Sequence, residues 1–387
     1  MSRAVDRLPA QFFTGILAEV AAARATPGAP IIDLGRGNPD QPPPDHAVAA
    51  LQAAAGDPVA AVHGYPPFAG LPALREAIAA RYRADHGVVL DPEREIAVVP
   101  GTKTGIMLAT LACAAAGDAV LLPDPGYPDY LSAIALAGAR RVPLLLRAAG
   151  GFQPDFVGDH AVAAERPALV VLNYPSNPCA VVERPGTFEA AVAYAAERDA
   201  VLLNDFAYGA LGLGTSPPRS VLAVPGAREV AVELWSASKI YGMAGWRVGF
   251  LVGRADVVAR VQTLIDHTTA GVFAAVQRGL HAALTGPQDG VAELRALYRA
   301  RADRLVGTLR AAGAEIDAPA GTFFAWWRPP AGLDAATLLR EDRVGVAPGV
   351  GFGAEGEGWV RLSLATADTD LDEGARRLAA AVTRTLP

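Results

Sequence analysis

Residues 236–250, SASKIYGMAGWRVGF, set Lys239 behind two hydroxyls, Ser236 and Ser238, and eight residues ahead of Arg247. The chain holds 34 Lys plus Arg, of which only Lys103 and Lys239 are lysines. Arginine stays protonated, whereas a lysine amine can lose its proton and form a Schiff base with a carbonyl. A lysine at a strand end in a chain that otherwise uses arginine points to a task arginine cannot perform. Two hydroxyls and a guanidinium beside such an amine suit a phosphate carried on an aldehyde. Taken alone, Lys239 reads equally as a strand-end residue that solvates a turn, so its surroundings must decide.

An aldehyde phosphate that serves as an electron sink is pyridoxal phosphate, and its ring nitrogen needs a carboxylate to stay protonated. Asp205 closes the apolar run AVLLND and can reach into a crevice at a sheet edge. Tyr208 and Asn177, the latter in NYPSNP, can bond a ring hydroxyl, and Tyr127 in DPGYP can stack on the ring face. GTK at 101–103 precedes a helical stretch, so backbone N–H groups and the Thr102 hydroxyl can receive phosphate at a helix N-terminus. Each has a plainer reading: NYPSNP and DPGYP as turns, Asp205 as a helix cap. Their order and shared sheet edge favour one site.

The elements that must position these residues alternate. EIAVVP (95–100), AVLLP (119–123), ALVVLN (168–173), AVLLND (200–205), VAVELW (230–235) and RVGFLVG (247–253) read as strands. Helical stretches at 104–116, 128–138, 187–198 and 255–265 separate them. This order predicts an α/β domain with a mostly parallel central sheet flanked by helices, its ligand at the strand C-termini. From about residue 286 the pattern becomes a long helix over 289–312, then short strands at TFFAWW and WVRLSLA. The expected division is an N-terminal segment (1–45) joining a smaller α+β domain (286–387), with a large domain at 46–285.

A formal net charge of −6 and no basic stripe argue against nucleic acid as a partner. The apolar run 106–116 is too short to span a membrane, and MSRAVDRLPAQFF lacks a secretory h-region, so a soluble cytoplasmic protein is expected. Neither the two cysteines nor the six histidines have metal-ligand spacing, so no metal is expected. His267 reads as a surface or core residue, Cys179 as a small buried side chain, and Phe323, Phe324, Trp326 and Trp327 as small-domain core. GRGNPD (35–40) does not lie between a strand and an opening helix, which makes a dinucleotide site improbable.

With these residues in view, the chain resembles the class I/II aminotransferases of pyridoxal-phosphate fold type I, and within them the LL-diaminopimelate aminotransferase-like subgroup. The resemblance runs through IIDLGRGNPDQPPPDH (31–46), HGYPPFAGLPALREAIA (63–79), DPGYPDY (124–130), FQPD (152–155), NYPSNP (173–178), the stretch 220–250, AGVFAAVQ (270–277) and GVGFGAEGEGWVRLSLA (349–365). It implies transfer of an amino group from an L-amino acid to a 2-oxo acid, with Lys239 as Schiff-base lysine and general base. Asp205 would pair with the ring nitrogen, Asn177 and Tyr208 would bond the ring hydroxyl, and Tyr127 would stack on the ring. Thr102, Lys103, Ser236, Ser238 and Arg247 would surround the phosphate. Arg361 would clamp the substrate α-carboxylate through a planar fork that Lys cannot reproduce, and Gly37 would meet the substrate through its backbone. Tyr65 would reach the phosphate of a neighbouring subunit, which implies a homodimer with sites at the interface.

The chain departs from the family pattern at Cys179-Ala180, at Thr102-Lys103-Thr104 and at Ile240, which line or neighbour the expected pocket. An alternative outcome on the same cofactor, such as elimination, cyclisation or decarboxylation, therefore stands beside transamination. A transcription regulator built on this fold would need an N-terminal helix-turn-helix module, whereas the resemblance already begins near residue 8.

Overall fold

The computed structural model describes residues 3–214 and 217–385. Twelve strands occur among them: β1 (Ile32–Asp33), β2 (Ile96–Val99), β3 (Ala119–Asp124), β4 (Arg140–Leu145), β5 (Leu169–Leu172), β6 (Val201–Asp205), β7 (Ala231–Ser236), β8 (Gly249–Gly253), β9 (Phe324–Trp327), β10 (Val344–Gly345), β11 (Ala347–Pro348) and β12 (Val360–Ser363). β2 to β8 form one sheet in the order β2-β8-β7-β6-β5-β3-β4. The pairings from β7 through β4 are parallel, and β8 runs antiparallel to both β7 and β2.

The period of two along each strand explains why these runs are apolar throughout. Val170, Leu172 and Leu202 enter one core, while Leu169, Val171, Val201 and Leu203 enter another on the opposite face. Helices cover both faces of the central strands, which are buried on both sides. The helices over Thr102–Cys113, Asp129–Ala137, Thr187–Arg198 and Ala255–Thr268 fall where the sequence pattern predicts them, within a few residues at each end. β4 was not expected. Its sequence RRVPLL carries two exposed arginines and Pro143, features that argue against a central strand. It is tolerated because β4 is the sheet edge, paired on one side only.

The small domain packs β11-β12-β9 against the helices Asp289–Ala311 and Asp368–Thr385, whose Tyr298, Leu305, Leu371 and Leu378 share one core with Trp327 and Leu362. The N-terminal segment joins it through β1, which pairs with β10. Arg301 fastens the join: its guanidinium donates to Asp40 and Asp368, each at 2.7 Å, and to the Leu364 carbonyl at 3.0 Å. The helix Phe12–Arg24 instead bridges both domains, because Ile16 and Val20 pack with Leu146 and Phe152 on one side and Trp326 and Phe352 on the other.

Glu233 on β7 is fully buried. One oxygen accepts from Ser220 Oγ at 2.6 Å and Tyr82 OH at 3.0 Å, the other from Asn204 Nδ2 at 2.9 Å and Val221 N at 3.0 Å. Burial pushes its pKa up from 4.5 to about 7 even so, the four donors pulling the other way. The folded protein therefore holds this proton more tightly than the unfolded chain, and the associated stability is lost as pH rises from about 4.5 to about 7. We predict that Glu233→Gln removes this loss. Denaturant unfolding of parent and variant across that range should move in the variant's favour with rising pH, by on the order of 1–3 kcal/mol. A pH-independent difference would show that the donors cancel the effect of burial, and a difference of opposite slope that they outweigh it.

Candidate active site

The strand C-termini of the large sheet and the small-domain strands β9 and β12 enclose a cavity of about 190 Å³. Gly37, Thr102, Tyr127, Asn177, Asp205, Tyr208, Lys239 and Arg361 all form its wall. Ser236 ends β7 and accepts the Ser238 N–H at 3.2 Å, capping the short turn Ala237–Ile240 that carries Lys239. Lys239 Nζ donates to the Gly37 carbonyl at 2.9 Å. A Cβ on residue 37 would lie 3.1 Å from the Phe324 ring, so glycine lets this backbone come close. Burial lowers the Lys239 pKa to about 8, with Arg361 and Arg247 adding to the shift and Asp205 opposing it.

Asp205 ends β6 and is buried. Its carboxylate accepts from Tyr130 OH at 2.8 Å and from the Ala207 N–H at 3.2 Å. Burial raises its pKa to about 6, although these donors and Lys239 favour the charged form. Tyr208, also buried, stands edge-on to Phe323 and Phe324 at 5.5 and 5.9 Å. The Tyr127 ring lies 6.1 Å from that of Phe13.

At the other end, Gly101 (φ +79°) precedes the helix that begins at Thr102. A Cβ at Gly101 would sit 2.4 Å from Arg247 Nη2, so only glycine lets the guanidinium approach this helix N-terminus. Arg247 Nη1 also donates to the Ala244 carbonyl at 2.9 Å. Ser236, Ser238 and Arg247 thus stand next to the cavity rather than in its wall.

Arg361 on β12 is 1% exposed. Nη1 donates to Asn177 Oδ1 at 2.7 Å and Nη2 to the Gly35 carbonyl at 3.1 Å, while Nε has no partner. The guanidinium lies 3.9 Å from the Phe324 ring centroid, 4.8 Å from Phe352 and 5.5 Å from Phe13. Burial lowers its pKa to about 10.

Two expected residues lie elsewhere. Lys103 is exposed and pairs with Asp129 at 3.0 Å, because that buried carboxylate needs a cation; it does not reach the cavity. Tyr65 is 86% exposed and outside the wall. Cys179 and Ile240 are buried but do not line the cavity, Cys179 having its pKa raised by burial. His267 is exposed on its helix. Phe324 belongs to the small-domain core, as the sequence reading expects, and lines the cavity as well. Phe13, Asn173 and Tyr130 were missed. Asn173 opens the quoted motif NYPSNP and Tyr130 ends DPGYPDY, but Phe13 carries no local signal. Among the described residues no cluster of ligands could hold a metal ion, and no helix is long and apolar enough to cross a membrane.

Comparison with known proteins places the geometry in a family. The model for aminotransferase class I and II matches residues 29–378. The chain is 40% identical over 97% of its length to L-glutamine–4-(methylsulfanyl)-2-oxobutanoate aminotransferase of Bacillus subtilis, covering 95% of that protein. It is 39% identical, over 97% of this chain and 96% of the relative, to an LL-diaminopimelate aminotransferase of Desulforudis audaxviator. A substrate-bound structure of BacF from Bacillus subtilis superposes with a TM-score of 0.90 at 37% identity, covering 97% and 95% of the two chains. These names favour amino-group transfer over elimination, cyclisation or decarboxylation. The chain belongs to the class I and II aminotransferases, and is an enzyme of pyridoxal-phosphate fold type I that transfers amino groups with that cofactor.

Proposed function

We propose that this aminotransferase moves the amino group of an L-amino acid to a 2-oxo acid, with Lys239 as its base and Arg361 as its carboxylate anchor. The observation that carries this reading is one small cavity holding both an amine with pKa near 8 and a buried guanidinium without a carboxylate.

The donor set fits the cofactor. Lys239 would anchor the aldehyde, Asp205 would face the ring nitrogen, and the Tyr127 ring would cover one face. Asn177 gives its Oδ1 to Arg361, which leaves its amide N–H groups free to donate to a ring hydroxyl beside Tyr208. Thr102 at a helix N-terminus, with Ser236, Ser238 and Arg247 close by, would hold the phosphate. Bound there, pyridoxal phosphate supplies the electrophilic carbon and electron sink that make a substrate Cα–H acidic. Lys239 Nζ, neutral for a substantial fraction of time near pH 8, takes that proton and returns it. The pKa of Asp205, raised by burial, would fall with a cationic ring nitrogen beside it, so its carboxylate would hold that nitrogen's proton. Arg361 offers Nη and Nε donors to the α-carboxylate, and the rings around it exclude water.

We further propose a homodimer. Tyr65, Val59 and Phe273 are 86, 55 and 45% exposed, an apolar surface that a second copy would cover. Sedimentation equilibrium at micromolar concentration should give twice the 39.9 kDa chain mass; a monomer would refute this.

Three measurements test the chemistry. Lys239→Ala should lose the visible absorbance of the cofactor-loaded enzyme and all turnover; a normal spectrum would sink the assignment. Arg361→Lys keeps the charge but loses the fork, so it should retain that spectrum and lose roughly ten- to a few hundred-fold in kcat/KM for amino acids. Unchanged kcat/KM would put the carboxylate elsewhere. In cofactor-free protein, labelling of Lys239 by an amine-reactive reagent should rise with a midpoint near pH 8. Arg361→Met removes a neighbouring positive charge and should move that midpoint upward; a downward shift would contradict the electrostatics.

A further inference from the structure

We propose that this site selects substrates with neutral, apolar side chains, and that Phe13 from the N-terminal helix is the residue that selects them. The inference rests on the transamination reading above.

Two anchors orient a substrate: its amino group lies toward Lys239 and its carboxylate at Arg361. The side chain must then meet what remains of the wall. Phe13 stands there, its ring centroid 5.5 Å from the Arg361 guanidinium and 6.1 Å from the Tyr127 ring. With Phe324 and Tyr127 it makes an aromatic surface between the carboxylate anchor and the ring expected to cover the cofactor.

The charges in the wall are already engaged. Its charged residues are Asp205, Lys239 and Arg361, and the Tyr127 and Tyr208 phenols are held neutral by burial. A second carboxylate on the substrate would find no cation, and a second ammonium no free carboxylate. The nearby candidates, Lys103 and Asp129, bind each other at 3.0 Å, and Asp129 also accepts from Gln11 at 2.7 Å. The exposed face around Tyr65, HGYPPFAG at 63–70, contains no Asp, Glu, Lys or Arg, and neither does the neighbouring AGVFAAVQ at 270–277. An unpaired charge taken into such a pocket loses its hydration without compensation, whereas an apolar side chain gains from burial.

Phe13 is also held in place rather than loosely draped. Gln11 Oε1 accepts the Phe13 N–H at 2.9 Å, and Gln11 Nε2 donates to the Asp129 carboxylate that Lys103 neutralises. Phe12 packs edge-on against Phe352 at 5.2 Å, on the same loop that shields Arg361. The first turn of the helix Phe12–Arg24 is thereby fastened to both domains at the cavity mouth.

The test is a panel of amino donors against one 2-oxo acid with the cofactor-loaded enzyme. Leucine, methionine and phenylalanine should exceed glutamate, aspartate and lysine by about hundredfold or more in kcat/KM. Phe13→Ala should keep the cofactor spectrum and lose roughly ten- to hundredfold more kcat/KM for leucine and phenylalanine than for the small donor alanine, mostly through KM. Phe13→Leu should recover most of that loss. Glutamate or lysine used as well as leucine would overturn the inference. So would a Phe13→Ala enzyme whose leucine-to-alanine ratio equals the parent's. A parent enzyme that turns over no amino acid at all would overturn the transamination reading beneath it, a result distinct from the other two.

Discussion

A guanidinium buried without a carboxylate is costly, and the rest of this molecule is arranged around the one at residue 361. Desolvation alone would favour its neutral form, which is why its pKa is pulled down to about 10. What keeps it charged is a set of contacts drawn from distant parts of the chain. The Gly35 carbonyl comes from the N-terminal segment, Asn177 from the loop after β5, and the aromatic faces from β9, the 349–356 loop and the first helix. Neutral dipoles and ring faces solvate a cation without neutralising it. The positive charge therefore remains available to an incoming anion, and the unpartnered Nε is where the solvation is incomplete.

The same desolvation works on Lys239 and Asp205 in opposite directions. It lowers the amine to about 8 and raises the carboxyl to about 6, so both approach neutral pH from either side. Convergence of an acid and a base in one small cavity is the arrangement that proton transfer needs. Tyr130 keeps Asp205 from rising further, since its hydroxyl bonds the charged form.

The fold was legible because its signal is periodic. Each parallel strand is buried on both faces, so the apolar runs stand out, and the polar residues gather at the strand ends where the sheet opens. Lys239, Asp205 and Asn177 follow directly from those positions. β4 was hidden because an edge strand may carry arginine and proline without penalty. Phe13 and Phe324 were hidden for another reason. An aromatic side chain in a cavity wall has the same composition as one in a core, and only the tertiary contact with Arg361 separates them. Lys103 misled in the reverse sense: its rarity pointed to the cofactor, while the buried Asp129 carboxylate accounts for its place.

The remaining polar contacts divide the site into a rigid part and a movable one. Arg361 donates to Asn177 Oδ1, the Asn177 N–H donates to Asn173 Oδ1 at 2.8 Å, and Asn173 Nδ2 donates to the Asp205 carbonyl at 2.7 Å. Arg361 orients the Asn177 amide, while the Asn177 backbone N–H and the Asp205 carbonyl orient that of Asn173, so neither amide can flip without stranding a buried group. Arg361 and Asp205, both in the cavity wall, are thereby tied into one chain of hydrogen bonds. Lys239 stands outside the series: its amine meets a backbone carbonyl of the N-terminal segment, a contact with no second bond to fix its direction. A single hydrogen bond to a carbonyl leaves the amine free to exchange that partner for another, which a network of bonds would prevent.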